Sequence, residues 1–279
     1  MSKAWFITGA GSGIGAGIAK AALKAGDRVV ATARNVGKVR NALRDVAGDN
    51  VAFVQLDVAN EAQAKAAVEE AVKQFGRIDV AVNNAGYAVM GNFEELPTAD
   101  IEQQFATNFW GVAYIMRAVL PVMRKQRSGH VFNISSVAGV VGLKHCGAYG
   151  AAKFALEGLS LAVAHEVEQF GIKITVVEPG FFRTDLIGPQ NVRWGKNTIE
   201  DYAGEGSVEA MWSPYHGTQP GDPAKLGEVM VKLAGMENPP RLFVAGGDAL
   251  AAITPAIVER LNATRAYEEL SKSTEGSFQ

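Results

Sequence analysis

The sequence predicts one α/β domain in which helices cover both faces of a parallel β-sheet. Short apolar runs of strand length alternate with longer segments that have the apolar spacing of helices. The apolar runs lack polar alternation, which indicates strands that are buried on both faces. A length of 279 residues is usual for one large domain of this class, so we predict a single domain over residues 1–279.

Seven apolar runs are the candidates for the strands of this sheet. In chain order they are AWFIT (4–8), RVVATA (28–33), VAFVQLD (51–57), IDVAVN (78–83), HVFNIS (130–135), IKITVVE (172–178) and RLFVAG (241–246). Helical patterns over residues 14–25, 61–75, 99–126 and 148–170 lie between them. Strands and helices in this alternating order are typical of a doubly wound parallel sheet.

Residues 186–222 interrupt the alternation. They contain glycines, prolines and scattered aromatic side chains, among them Trp194 and Trp212. A long irregular segment in a compact domain is usually functional, so we predict a lid over a substrate site. The alternative is that the two tryptophans only attach the loop to the body of the domain.

The chain after the lid is predicted to form a helix over 224–235, the last strand, and a helical extension over 248–279. In the extension, Thr254 can cap a helix whose first residue is Pro255, because proline is tolerated in the first helical turn. The predicted buried side of that helix consists of Ile257, Leu261 and Tyr267.

Composition narrows the possible functions. The net charge is −2 and the pI is about 6.1, without a basic stripe, so we expect no nucleic-acid partner. The apolar runs fall short of the roughly 18 residues of a membrane span, so we expect no membrane segment and a cytoplasmic protein. Cys146 is the only cysteine and the 4 histidines lack ligand spacing, so we expect neither a disulfide nor a metal site.

A glycine-rich segment follows the first predicted strand. TGAGSGIG runs from Thr8 to Gly15 and opens the first helical pattern. Glycines allow the main chain to approach a ligand closely, and a helix amino terminus offers free N–H groups to a pyrophosphate. An ordinary tight turn is the alternative, but the position between strand and helix favours a dinucleotide site.

The end of the second strand bears on which dinucleotide binds. An NAD site usually has an acidic residue there, about 20 residues beyond the glycines, but this chain has Ala33 followed by Arg34. Asp27 precedes the strand and therefore lies at its wrong end. Arginine suits a 2′-phosphate, so we predict NADP(H) rather than NAD(H). The alternative is that Arg34 is a solvated surface residue.

Two further strand ends point to the same edge of the sheet. Asp57 closes the third strand and is placed to meet the adenine, whereas NNAG (83–86) closes the fourth. In open α/β sheets, ligands bind outside the carboxyl ends of the strands. NNAG is also a common turn sequence, so a purely structural turn is the alternative.

Taken in order, these motifs resemble the short-chain dehydrogenase/reductase pattern. The resemblance rests on TGAGSGIG (8–15), NNAG (83–86), Asn108, NISS (133–136), YGAAK (149–153) and EPG with Thr184 (178–184). It implies a Rossmann fold with strand order 3-2-1-4-5-6-7, a nicotinamide cofactor and an Asn-Ser-Tyr-Lys tetrad. The tail and the loop are more similar to the 17β-hydroxysteroid and retinol dehydrogenase branch.

By motif position the catalytic tetrad is Asn108, Ser136, Tyr149 and Lys153. Ser136 is preferred to Ser135 because the family serine usually lies thirteen residues before its tyrosine. Tyr149 and Lys153 are four residues apart, which puts them on one helix face. A phenol is protonated near pH 7 and can donate a proton to a carbonyl oxygen, while a neighbouring ammonium stabilises the phenolate that remains.

The resemblance also implies the remaining contacts. Asn108 would hold a water between itself and Lys153 that relays protons to solvent. Asn108 also falls in an apolar helix stripe, so a core asparagine that bonds to the backbone is the alternative. The predicted cofactor-binding residues are Thr8, Gly9, Gly11, Ser12, Gly13, Ile14, Gly15, Arg34, Asp57, Val58, Asn84, Ala85, Gly86, Tyr149, Lys153, Pro179, Gly180 and Thr184. The predicted substrate contacts are Ser136, His145, Tyr149 and Trp194.

These observations predict an NADP(H)-dependent carbonyl reductase that acts reversibly on a small-molecule ketone, aldehyde or secondary alcohol. A reductase of 3-oxoacyl thioesters or steroids is the alternative on the same fold. A cofactor-bound sensor without chemistry is a third possibility, although the chain retains the tetrad that such proteins tend to lose. Family members pair through the helices at 99–126 and 149–170, which predicts a homodimer or homotetramer.

Overall fold

A seven-stranded parallel sheet forms the centre of the computed structural model, which describes residues 2–188, 191–196 and 198–276. In chain order the strands are β1 (Ala4–Thr8), β2 (Arg28–Ala33), β3 (Val51–Gln55), β4 (Val80–Asn83), β5 (Ala88–Met90), β6 (Gly129–Ile134), β7 (Ile172–Pro179), β8 (Val192–Trp194) and β9 (Leu242–Ala245). The main sheet has the order β3-β2-β1-β4-β6-β7-β9, and β5 and β8 form a separate parallel pair. The predicted fold class and strand order are confirmed.

Ten α-helices surround this sheet in the described part of the chain. They are α1 (Gly13–Lys24), α2 (Val36–Leu43), α3 (Glu61–Phe75), α4 (Thr98–Phe105), α5 (Gly111–Gln126), α6 (Gly147–Val167), α7 (Val208–Trp212), α8 (Pro223–Gly235), α9 (Gly247–Ala266) and α10 (Glu268–Lys272). The helices α1, α2 and α8 pack on one face of the sheet, and α3, α5 and α6 pack on the other.

The central strand β1 shows why both faces need cover. Trp5 and Ile7 contribute to the core under α1, whereas Phe6 belongs to the core on the opposite face. All three are almost completely buried. A strand that is apolar on both faces is stable only between two helix layers, as its sequence predicts.

Two glycines bring α1 and α8 into backbone contact. A Cβ atom on Gly17 would lie 2.2 Å from the carbonyl oxygen of Pro223, and one on Gly227 would lie 2.4 Å from the oxygen of Gly17. Any larger residue would therefore push the helices apart. This contact fixes the position of α1, and with it the glycine-rich turn from which α1 begins.

One predicted helix and one predicted strand differ in detail from the observed elements. The helix predicted over 99–126 is three segments, because a π-helical turn over Ala106–Trp110 separates α4 from α5. The third strand ends at Gln55 rather than at Asp57, because Asp57 begins a turn in which its carboxylate accepts a hydrogen bond from the Ala59 N–H at 3.1 Å.

The predicted lid region, 186–222, contains more regular structure than expected. It includes β8, a 3-10 segment over Glu200–Glu205 and the short helix α7. Residues 189, 190 and 197 of this region lie outside the described residues. The register pairs Val192 with Ala88, which ties the first part of the region to the segment after NNAG.

The prediction for the C-terminal extension is wrong about where its helix begins and which side is buried. The helix α9 begins at Gly247, so Pro255 lies in its interior. Gly246, with φ 109°, turns the chain directly out of β9, and the Asp248 carboxylate accepts a hydrogen bond from the Phe181 N–H at 2.6 Å. The buried residues are Ala249 and Ile253, whereas the side chains predicted to be buried are exposed: Ile257 (55%), Leu261 (46%) and Tyr267 (64%).

Candidate active site

One cavity of about 470 Å³ follows the carboxyl edge of the sheet. Most of the predicted site residues line it: Gly9, Gly11, Ser12, Gly13, Ile14, Arg34, Asp57, Val58, Asn84, Ala85, Gly86, Asn108, Ser136, Tyr149, Lys153, Pro179, Gly180 and Thr184. They come from the loops after β1, β2, β3, β4, β6 and β7, and from the helices on either side. The common edge of a parallel sheet brings these distant residues together.

Two predicted cofactor residues lie behind the cavity wall and shape it. The Thr8 hydroxyl accepts hydrogen bonds from the N–H groups of Asn84 at 2.9 Å and Ala85 at 3.1 Å, so it holds the NNAG turn. Gly15 leaves no room for a side chain, because a Cβ there would lie 2.4 Å from both Asn84 Nδ2 and the Gly9 oxygen. Both residues support the binding turn from behind.

The two predicted substrate residues His145 and Trp194 are also outside the set of described residues that line the cavity. His145 is buried at φ 66°, and its Nδ1 faces the indole N–H of Trp212 at 3.5 Å. Trp194 ends β8, where its backbone pairs with Met90. Trp212 lines the cavity instead.

The glycine turn has the geometry that a dinucleotide requires. Gly9 and Gly13 have φ values of 68° and 52°, which side chains with a Cβ rarely adopt. A Cβ on Gly13 would also lie 2.9 Å from Thr184 Cγ2, so only glycine leaves this cradle open. The helix α1 begins with Gly13, Ile14 and Gly15, and the N–H groups and positive dipole end of a helix amino terminus suit a phosphate. The next N–H, of Ala16, already donates to the Ser12 carbonyl at 3.1 Å.

Arg34 lines the far end of the cavity together with two residues that the sequence argument missed. Asn35 caps α2 by accepting a hydrogen bond from the Lys38 N–H at 3.2 Å, and this brings Lys38 beside Gly11. Arg34 and Lys38 therefore place two cations at one end of the cavity. The sequence RNVGK shows a second cation four residues after Arg34, but Arg34 precedes α2, so helical spacing does not by itself bring the two together.

Tyr149 and Lys153 lie on the same face of α6, at the middle of the cavity. The Lys153 Nζ atom donates to the Ile134 carbonyl at 2.7 Å and lies 5.7 Å from the centre of the Tyr149 ring. Ser136 hydrogen-bonds to the phenol of Tyr149, and its hydroxyl also accepts from the Ala138 N–H at 3.2 Å. The three groups converge on one region of the wall.

Burial controls the protonation of this group. Desolvation raises the pKa of Tyr149 to about 12, although the hydrogen bond from Ser136 opposes the change. Desolvation also lowers the pKa of Lys153 to about 8, and the charge of Glu157 opposes that change. Near pH 7 the phenol is therefore a proton donor and the amine remains a cation.

Asn108 lies in the π-helical turn and is fully engaged with the backbone. Its Nδ2 donates to the Tyr87 carbonyl at 3.0 Å, and its Oδ1 accepts from the Tyr87 N–H at 3.3 Å. The π-turn allows the side chain to reach the NNAG loop while the main chain of α5 continues. These are the contacts of the backbone-bonded alternative, and the predicted water relay stays a prediction.

The end of the cavity predicted to bind substrate is apolar. Its wall includes Met90, Val137, Ala138, Leu143, Cys146, Leu186, Ile187 and Trp212. Burial raises the pKa of the Cys146 thiol to about 12, so the thiol stays protonated and is a poor nucleophile. Phe181, Trp212 and Tyr215 pack together with ring centres 5.8 to 6.2 Å apart, Phe181 stacking on Tyr215.

The described residues lack two other kinds of feature. They contain no group of three His, Cys, Asp or Glu side chains arranged to hold a metal ion. None of their helices combines the length and apolar character that crossing a bilayer requires.

Comparisons with known proteins agree with the geometry. The family model for short chain dehydrogenases matches residues 3–193. Oxidoreductase BOA17 of Botryotinia fuckeliana (strain B05.10) is 40% identical over 251 residues, which are 90% of this chain and 91% of that protein. A short-chain dehydrogenase structure from Streptomyces avermitilis has a TM-score of 0.89 and 36% identity, covering 98% of this chain and 100% of that one.

Two other solved structures hold a cofactor. ElxO with NADP bound has a TM-score of 0.74 and 31% identity, covering 90% of this chain and 100% of that one. A short-chain dehydrogenase/reductase from Burkholderia phymatum in complex with NAD has a TM-score of 0.80 and 24% identity, covering 100% and 98%. At that identity the second likeness concerns the fold alone.

Proposed function

The chain belongs to the short-chain dehydrogenase family and is an oxidoreductase, and from that premise we propose that it is an NADP(H)-dependent carbonyl reductase. The observation that supports this proposal most is the convergence of Ser136, Tyr149 and Lys153 on a cavity whose other end is the glycine turn. A proton donor, a cation and a dinucleotide cradle on one wall are the parts that carbonyl reduction needs.

The cavity has a place for each part of the dinucleotide. The amino end of α1 would hold the pyrophosphate, Asp57 and Val58 would flank the adenine, and Lys153 would hold the nicotinamide ribose. Pro179, Gly180 and Thr184 would bound the nicotinamide. A bound nicotinamide supplies the hydride and accepts it in the reverse direction.

Tyr149 donates the proton in the proposed reaction. Its phenol remains protonated at neutral pH, and the Ser136 hydroxyl beside it orients the carbonyl oxygen. The ammonium of Lys153 stabilises the phenolate as the proton leaves. Because burial favours the protonated phenol, the site holds a proton donor at neutral pH.

Arg34 supports the preference for NADP(H). The Arg34 guanidinium and the Lys38 ammonium lie at the end of the cavity where the adenosine ribose would bind. Two cations suit a 2′-phosphate, whereas an NAD site usually offers a carboxylate to the ribose hydroxyls.

The substrate is proposed to be an apolar ketone or aldehyde, because apolar side chains dominate that end of the cavity. A steroid would fit the same chemistry and is the alternative. A 3-oxoacyl thioester on a carrier protein has weaker support, because a carrier would need basic residues near the cavity mouth. The candidate Arg193 is not among the described lining residues and pairs with Asp100 at 3.4 Å.

The decisive experiment is Tyr149→Phe. We expect kcat for NADPH-dependent reduction of an apolar ketone to fall about 10²- to 10⁴-fold, because the proton donor is lost while the cavity keeps its shape. NADPH affinity, measured by fluorescence titration, should stay within about twofold of the original value.

Tyr267→Phe is the matched control, since Tyr267 is exposed and is not among the described residues that line the cavity. It should leave kcat unchanged. Retained turnover in Tyr149→Phe would refute the proton-donor role, and a chain that fails to oxidise NADPH with any of a panel of ketones would refute the carbonyl reductase itself.

A further inference from the structure

Ser135 and Glu157 form a hydrogen-bonded pair beside the proposed catalytic residues. Ser135 immediately precedes Ser136, and its hydroxyl donates to Glu157 Oε1 at 2.5 Å. Glu157 lies one helical turn beyond Lys153, so Tyr149, Lys153 and Glu157 follow one another along the same face of α6. The pair therefore joins the loop that carries one catalytic side chain to the helix that carries two others.

The chain folds tightly around this pair. A Cβ on Gly139 would lie 2.4 Å from the Ser135 hydroxyl and 2.5 Å from Glu157 Oε1. Ser136 caps the short 3-10 turn Val137–Gly139. The pair thus holds the chain on both sides of Ser136. One member, Ser135, directly precedes Ser136, and both members lie against Gly139, which follows it.

The carboxyl of Glu157 acts on the charge of the site as well. Desolvation raises the pKa of Glu157 to about 7, and the charge of Glu178 near the end of β7 raises it further. The Ser135 hydrogen bond and the charge of Lys153 both lower that pKa and so oppose the change. In return, the charge of Glu157 raises the pKa of Lys153 against the desolvation that lowers it. The two groups stabilise each other's charged forms.

We propose that Glu157 is a positioning residue that holds the Ser135–Gly139 turn and keeps a negative charge behind the ammonium of Lys153. This inference rests on the proposed carbonyl reductase activity and adds a residue to its machinery. Glu157 touches neither substrate nor cofactor in this scheme: it acts through Ser136 and Lys153. Substitutions distinguish the anchoring of the turn from the effect of the charge. Glutamine keeps an acceptor for the Ser135 hydroxyl but lacks the charge, whereas alanine lacks both.

The first test compares the pH profiles of kcat/KM for ketone reduction. In Glu157→Gln the alkaline limb should move to lower pH by about one unit, because Lys153 loses its proton more readily without the carboxylate. The plateau should stay within about threefold of the original. In Glu157→Ala the same shift should come with a plateau about tenfold lower, since the turn that carries Ser136 loses its anchor.

Glu166→Gln is the matched control, because Glu166 is an exposed glutamate of the same helix. Its profile should coincide with that of the unaltered protein. An alkaline limb that stays in place in Glu157→Gln would overturn the electrostatic part, and equal plateaus in the Gln and Ala variants would overturn the anchoring part.

A second measurement keeps the test independent of turnover. Because the pKa of Glu157 is raised from 4.5 to about 7 in the folded state, the unfolded chain releases this proton at lower pH than the folded protein does. The contribution of Glu157 to the free energy of unfolding therefore falls as the pH rises through this interval. The unfolding temperature of Glu157→Gln minus that of the unaltered protein should therefore grow across this interval. Glu157→Ala should unfold at a lower temperature than Glu157→Gln, because only glutamine keeps an acceptor for the Ser135 hydroxyl. Equal unfolding temperatures in these two variants would overturn the anchoring of the Ser135–Gly139 turn even in a protein that reduces no ketone.

Discussion

The sequence predicted the placement of residues in the first 185 positions better than in the segment from 186 onward. In the first part, eighteen predicted residues from six loops and their helices line one cavity. In the second part, Trp194 is outside that cavity lining, and the predicted buried side of the last long helix is exposed. The difference shows that a motif at a strand end is placed by the sheet, whereas a helix face is placed by its neighbours.

The physical reason lies in what each prediction needs. The carboxyl ends of parallel strands meet at one edge whatever the side chains are, so residues that follow strands are brought together by topology alone. A helix with apolar residues on several sides has several possible buried faces. Packing against β9 and the turn after β6 selects Ala249 and Ile253 in this chain.

The largest expected effect tests the buried face of α9. Ile253→Ala should lower the free energy of unfolding by about 2–5 kcal/mol, because it removes a side chain that is 2% exposed. Ile257→Ala, four residues along the same helix, should stay within about 0.5 kcal/mol, because that side chain is 55% exposed. Urea denaturation of both variants measures the difference.

Equal losses in the two isoleucine variants would mean that the second half of α9 is covered in solution. The sequence-based choice of Ile257 as a buried residue would then be restored, and the contrast between the two parts of the chain would weaken.

A smaller effect tests the cation end of the cavity. Arg34→Ala should raise KM for NADPH about tenfold or more and leave KM for NADH nearly unchanged, because charge-assisted hydrogen bonds are worth roughly 1.5–3 kcal/mol. Lys38→Ala should act in the same direction but less, since a lysine makes fewer fixed contacts with a phosphate. Steady-state kinetics with both cofactors gives the comparison.

The control for this pair is Arg44→Ala, an exposed arginine of the α2 region that pairs only with Asp45 at 3.4 Å among the described residues. It should leave both KM values unchanged. If Arg34→Ala raised KM equally for both cofactors, the argument from the 2′-phosphate would fail.

The smallest effect tests the two tryptophans of the predicted lid region, Trp194 and Trp212. Trp212→Ala should raise KM for an apolar ketone about fivefold, corresponding to roughly 1 kcal/mol of lost aromatic contact. Trp194→Ala should change KM less, because its side chain packs beside β5 rather than at the cavity wall. A larger effect from Trp194 would show that the sequence-based assignment was right and that the lid rearranges around substrate.

The NNAG segment shows how far sequence reasoning reached and where it stopped. The motif predicted a turn at the cavity edge, and the structure places Asn84, Ala85 and Gly86 there. The sequence raised a backbone-bonded Asn108 as an alternative, but its partner Tyr87 was not predictable, because the contact depends on a π-turn that shifts the helix by one residue relative to a regular one. Their roles in cofactor binding and catalysis stay predictions.

By itself, the sequence determined the parallel sheet and the set of polar and glycine residues at one edge, because hydrophobic period and strand-end motifs are local properties of the chain. The strand order followed from the resemblance of those motifs to the short-chain dehydrogenase/reductase pattern. The tertiary structure alone decided that Lys38 joins Arg34, that Glu157 stands behind Lys153, and which side of α9 is buried. Those outcomes depend on distances and desolvation between segments far apart in the chain, and neither quantity exists until the elements have packed.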